Sequence, residues 1–205
     1  VITAGLMAHI DIERVQYAGQ IWSFAGLTNT KWEKGEKRPW NAELKKLCFK
    51  IGESFVKQQS NKNDIYGKMM MAKKAELWEQ NLKGEFAEAA AEKTVGKTTQ
   101  AYKWYNGKVS AAWARGILKA GKSWPESVKT VKTRGTPMLP PAHIHARARR
   151  WIVKMFLSHL FEVMYIAHHG KEPPIPYVLT QANHTKRVYP PGYDQWLNDE
   201  NINLE

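Results

Sequence analysis

The chain has 205 residues, 43% of them hydrophobic, with a formal net charge of +12 and a pI near 9.7. That length supports one sizeable core and a small second lobe and excludes a disordered tail, while the charge makes nucleic acid the first partner to expect and an anionic membrane surface a weaker second. A single cysteine, Cys48, excludes an internal disulfide, and no apolar run approaches the ~20 residues of a membrane span, so a soluble protein of a reducing cytoplasm is expected, with no membrane partner.

Apolar residues recur at spacings of three and four with almost no alternation of period two, which predicts an all-α fold. The chain opens Val1-Ile2-Thr3 without a methionine or a signal-like leader, so further upstream sequence is expected. A short helix is predicted over Thr3 to Ile10, with Asp11 as cap of a second over Val15 to Ala25 that ends at Gly26. Leu27 to Trp40 reads as a loop charged on both signs, with Lys31, Glu33, Lys34, Glu36, Lys37 and Arg38. Asn41 then caps a helix whose stripe is Leu44, Leu47, Cys48, Ile51 and Phe55, with Lys45, Lys46 and Lys50 off the stripe. Further helices are predicted over Asp64 to Asn81, where Met69, Met70 and Met71 suit an adaptable packing surface, and over Glu85 to Lys93.

From Gly96 to Arg134 nine Lys or Arg residues stand among five aromatics and one acid, Glu126. The cations include Lys103, Lys108, Arg115, Lys119, Lys132 and Arg134, and the aromatics include Trp104, Tyr105 and Trp113. Cations release condensed counterions from phosphates and aromatic faces stack bases, so this segment has the composition of a nucleic-acid contact. A basic insertion whose aromatics pack on the body of the protein is the structural alternative.

Pro140 and Pro141 start the longest helix, Ala142 to about His169, ended by Gly170. Ile144, Ala148, Trp151, Ile152, Met155, His159, Val163 and Ile166 trace its apolar side, with His159 as a hydrogen-bonded core residue, while Arg147, Arg150 and Lys154, beside Arg149, make a second basic patch. From Glu172 on, five prolines predict an extended arm with short local structure. The organisation expected is a helical core over 1–95, a basic aromatic insertion over 96–139, a long helix completing the core over 140–170 and a Pro-rich tail over 171–205.

Metal and catalytic motifs are sparse. His143 and His145 sit two apart, about 200° around a helix, and cannot share a metal there; His143 fits a phosphate contact beside Arg147. The carboxylates are scattered, and neither a Walker loop nor a Gly-x-Ser-x-Gly turn occurs, so no catalytic residue and no metal ligand is assigned.

The segment AGQIWSFAGL followed by KWEKGEKRPWNAELKKLCFKIGESF resembles the C-terminal domain of transposases of the IS110, IS116 and IS902 group, through Phe24, Gly26, Leu27, Gly35, Asn41 and Leu44. Ile2 to Ile10 resembles the second half of a helix-hairpin-helix, and HARARRWIVKMFLSHLFEVMY is similar to the closing helix of that domain, most of all in large phage-borne relatives. The resemblance implies a mobile-element or phage protein in a bacterial host, with DNA recombination as ancestry and DNA or structured RNA as ligand. Active members carry a nucleophilic serine before the loop glycine, but here no serine lies between Ser23 and Ser54, and Trp32, Glu33 and Lys34 precede Gly35. Nucleic-acid binding therefore carries over ahead of strand transfer, and a divalent metal enters only with an upstream catalytic domain. The alternatives are a non-catalytic protein binding a large folded RNA, a recombinase whose catalytic residues lie upstream, and a protein-interaction scaffold. Expected contacts are Lys34, Lys37, Arg38, Lys46, Lys103, Trp104, Tyr105, Lys108, Trp113, Arg115, Lys119, Lys132, Arg134, His143, Arg147, Arg150 and Lys154, with a homo-oligomer expected.

Overall fold

The structure, a computed structural model, describes residues 2–93, 96–99, 138–175, 187–200 and 202. The protein is all-α: the described residues form helices α1 (Ile2–His9), α2 (Ala18–Phe24), α3 (Ala42–Gln58), α4 (Ile65–Leu82), α5 (Ala87–Ala91), α6 (Pro141–His169) and α7 (Tyr193–Asp199). The chain divides into two compact units, Val1–Gly67 with Arg150–Glu205, and Lys68–Arg149.

In the first unit the ends of the helices follow from local chemistry. Asp11, expected to cap a helix, instead holds a turn: its carboxylate accepts from the Glu13 amide at 3.2 Å and pairs with Arg14 at 3.1 Å. Helix α2 therefore begins only at Ala18, where the Gln20 side chain reaches back to the Gln16 and Tyr17 amides at 2.7 and 3.1 Å. It ends at Gly26, whose φ of 64° lets Leu27 N–H reach the Trp22 carbonyl at 2.9 Å and Gly26 N–H the Ser23 carbonyl at 3.0 Å. Asn41 caps α3 as its residue type predicts, accepting from the Glu43 and Leu44 amides at 2.9 and 3.0 Å.

The core of this unit is built from Leu6, Ile10, Ile21, Ala25, Leu44, Cys48, Ile51, Val153, Leu157 and Phe161. Helix α1 approaches α3 closely because Gly5 faces Leu47, where a Cβ would stand 2.8 Å from Leu47 Cδ1. Burial pushes the Cys48 thiol up to about 11, which makes it inert packing. Phe55, Tyr66 and Phe156 form an aromatic cluster with centroids 5.1 to 5.7 Å apart.

His159 is buried, as the apolar side of α6 predicts, and holds the chain after Arg187 in place. Its Nε2 lies 2.9 Å from the Val188 carbonyl and must donate, so Nδ1 accepts from the Tyr66 hydroxyl, also at 2.9 Å. Burial holds the imidazole below its ordinary value, offset in part by the Val188 carbonyl, and burial pushes the Tyr66 phenol up to about 12. Beside it Glu162 accepts from Arg187 at 2.9 Å, and Arg187 also reaches Glu172 at 3.5 Å. In the Pro-rich tail, where short local structure is expected, Gly192, at φ 73°, leads into the seven-residue α7, and Tyr193 stacks on Tyr189 at 5.1 Å.

Gly67 marks the start of α4. Asp64 Oδ1 accepts from its amide at 3.0 Å, while Asp64 Oδ2 is buried in the space a side chain would occupy. Gly67→Ala raises helix propensity by about 1 kcal/mol, yet its Cβ would meet the Asp64 carboxylate and lie 2.8 Å from Gln59 Cα. Such overpacking costs about 1–3 kcal/mol, so a net loss of roughly 1 kcal/mol is expected in urea unfolding followed by circular dichroism.

In the second unit Met70, Leu77, Trp78, Ala90, Met138, Leu139, Ile144 and Ala148 are buried. Met70 belongs to the methionine run and fills core. Asn81 is fully buried, donating Nδ2–H to the Leu139 carbonyl and accepting the Leu139 amide at Oδ1, both at 2.8 Å. That reciprocal pair fixes the backbone just before α6. The basic aromatic insertion falls largely between residues 100 and 137, outside the described residues.

Candidate nucleic-acid interface

The loop between α2 and α3 is built around its tryptophans. Trp40 packs on the Gly26 backbone, where a Cβ would stand 2.7 Å from the indole, and the Lys45 ammonium lies 3.9 Å from the centre of its ring. Gly26 is thus required both for its left-handed φ and for the space Trp40 fills. Trp32 meets Trp40 edge to face at 5.8 Å, and the Arg38 guanidinium lies 5.7 Å from the Trp32 ring centre.

A turn orients Trp32. Glu36 N–H donates to the Glu33 carbonyl at 3.2 Å with Gly35 at φ 104°, a backbone conformation suited to glycine at the third turn position. The Trp32 indole N–H donates to the Glu36 carbonyl at 3.0 Å, and Glu36 Oε2 accepts the Glu33 amide at 3.1 Å. Lys31, Lys34, Lys37 and Arg38 project from this loop, exposed, and none has a carboxylate partner among the described residues. Lys46 differs: it pairs with Glu43 at 2.7 Å, and that pairing holds the Glu43 carboxyl below its ordinary value.

In the same unit Arg150 and Lys154 lie about one turn apart on α6. The Trp22 indole donates to the Lys154 carbonyl at 3.1 Å, and the Lys154 ammonium stands 5.4 Å from the Trp22 ring centre. Burial, and after it the charge of Arg150, holds Lys154 below the usual lysine range. Two cations that oppose one another in this way are relieved by an anion placed between them.

His143 and Arg147 fall in the second unit, both half-buried, and the Arg147 guanidinium lies over Phe86 at 4.3 Å. Lys103, Trp104, Tyr105, Lys108, Trp113, Arg115, Lys119, Lys132 and Arg134 lie outside the described residues. Sequence reading missed the aromatic-cation arrangements of Trp22, Trp32, Trp40 and Phe86 with their partners, except in naming the cations. The interval of eight residues between Trp32 and Trp40, with Gly35 and Arg38 inside it and Gly26 before it, carried a local signal; the Trp22 to Lys154 contact, 132 residues apart, carried none.

Thr28 and Thr30, the hydroxyl side chains that lie between Ser23 and Ser54, bond to one another at 3.0 Å. Among the described residues no three His, Cys, Asp or Glu side chains gather where a metal could be held, and no helix is long and apolar enough to cross a membrane. No family model matches the chain, and no curated protein or solved structure matches it.

Proposed function

We propose that this chain is a nucleic-acid-binding protein of transposase C-terminal type, of mobile-element or phage origin, that grips phosphate backbone through its basic loop, helix α6 and the Gly96 to Arg134 insertion. The observation that carries this reading is the state of the cations in the first unit. Acids neutralise Arg14, Lys46 and Arg187, whereas Lys34, Lys37, Arg38, Arg150 and Lys154 have no carboxylate partner among the described residues. Cations left in this state are the ones a phosphate backbone can neutralise with release of its counterions.

A second reading, a non-catalytic protein bound to a large folded RNA, is favoured by the absence of any serine from residue 24 to residue 53 and by the mutual engagement of Thr28 and Thr30. Preference for folded RNA over duplex DNA at matched salt separates it from DNA binding, since the 2′-hydroxyl and A-form shape distinguish the ligands.

The test is the salt dependence of binding. Lys34→Ala/Lys37→Ala/Arg150→Ala is expected to flatten the slope of log affinity against log salt by about 0.9 per lost contact on duplex DNA and about 0.7 on a single strand. A slope equal to that of the parent chain refutes the assignment of these cations.

A further inference from the structure

We infer that the loop from Lys31 to Trp40 is a stacking site for an unpaired polynucleotide strand, with Trp32 taking a base and Arg38, Lys37 and Lys34 taking the flanking phosphates. The inference rests on the nucleic-acid reading above and narrows it to a strand whose bases are exposed.

The geometry separates the roles of the two tryptophans. Trp40 is already occupied, set against the Gly26 backbone with the Lys45 ammonium 3.9 Å from its ring centre. Trp32 is half-exposed, braced on Trp40 by its edge-to-face contact, and its N–H is satisfied by the Glu36 carbonyl at 3.0 Å. A base laid on the Trp32 ring therefore leaves no indole donor without a partner. The exposed Arg38 guanidinium lies over the ring, 5.7 Å from its centre. A phosphate draws that guanidinium into a charge-assisted contact, and the base takes its place over the indole.

Charge supports the same occupant. Lys31 to Arg38 carries four cations against Glu33 and Glu36, and the Glu36 carboxylate is turned back onto the Glu33 amide. Duplex bases present their faces only to one another, so a single indole on a loop selects the unpaired strand.

Anisotropy titration of the full chain against labelled oligo(dT), oligo(U) and a duplex at matched salt tests the site. Trp32→Ala is expected to weaken binding of the unpaired strands about tenfold, with the salt slope and the duplex affinity unchanged, and Trp32→Phe to recover most of the loss. Losses of equal size on oligo(dT) and oligo(U) support a contact with the base rather than the sugar. Unchanged strand affinity in Trp32→Ala, or an equal loss on strand and duplex, overturns the stacking site and leaves the broader reading standing. A parent chain that binds none of the three probes overturns both.

Discussion

Asn81→Leu is expected to lower the unfolding free energy of the second unit by about 3 kcal/mol, because leucine fills the volume but abandons two buried backbone groups. Asn81 and Leu139 are both fully buried, and the Leu139 amide and carbonyl each meet the Asn81 side chain at 2.8 Å. Each group left without a partner in a dry site costs about 1–3 kcal/mol. Asn81→Asp separates the two bonds: the carboxylate can still accept the Leu139 amide, but it faces the Leu139 carbonyl with a second acceptor. Its deficit is expected to be as large at neutral pH and to shrink in acid, where the protonated carboxyl can donate. The measurement is the urea midpoint together with hydrogen exchange at the Leu139 amide. An amide as protected in Asn81→Leu as in the parent chain would show that another group satisfies it.

This clamp also shows where sequence reading stops. Helix α3 was legible because its cap and stripe are local: Asn41 precedes a helix in which Leu44, Cys48 and Ile51 recur on one side. Helix α6 was legible because Pro140, Pro141 and Gly170 mark its ends. Asn81, by contrast, is one polar residue near the end of α4, and its partner lies 58 residues on. No spacing rule distinguishes it from a solvated asparagine. Helix α7 was anticipated only as short local structure without bounds, because its seven residues, following two prolines, are too short for periodicity to register. The candidate site divides along the same line. Lys34, Lys37, Arg38, Arg150 and Lys154 could be named because charge is a property of composition. Which of them lacks an acid partner, and which aromatic each one faces, depends on packing between segments up to 132 residues apart.

Arg187→Ala is expected to destabilise the first unit by about 3 kcal/mol at neutral pH, the low end of what removing one member of a buried ion pair costs. The Arg187 and Glu162 side chains are 17% and 9% exposed, so the carboxylate left behind cannot fully recover its hydration. The pH dependence tests that cause. Burial already raises the Glu162 carboxyl above its ordinary 4.5, with the Arg187 charge opposing the rise. The native state therefore holds this proton more tightly than the unfolded chain, and the stability Glu162 contributes falls as pH rises above about 4.5. Without Arg187 the carboxyl rises further, so the fall continues over a wider interval and the deficit of the variant grows with pH. In acid, below the unfolded value, Glu162 is protonated in both states, and the deficit is expected to contract to about 1 kcal/mol of lost hydrogen bonding. His159 acts in the opposite sense: held below its ordinary 6.5, it removes stability as pH falls through the interval beneath that value. It does so in both chains and cancels in the difference between them. Glu162→Gln/Arg187→Leu, which removes both charges, should recover much of the loss at neutral pH and flatten the pH dependence of the difference. A deficit in Arg187→Ala that stays constant across pH would mean that lost packing against Tyr189, 4.9 Å from the guanidinium, rather than the uncompensated carboxylate, sets the cost.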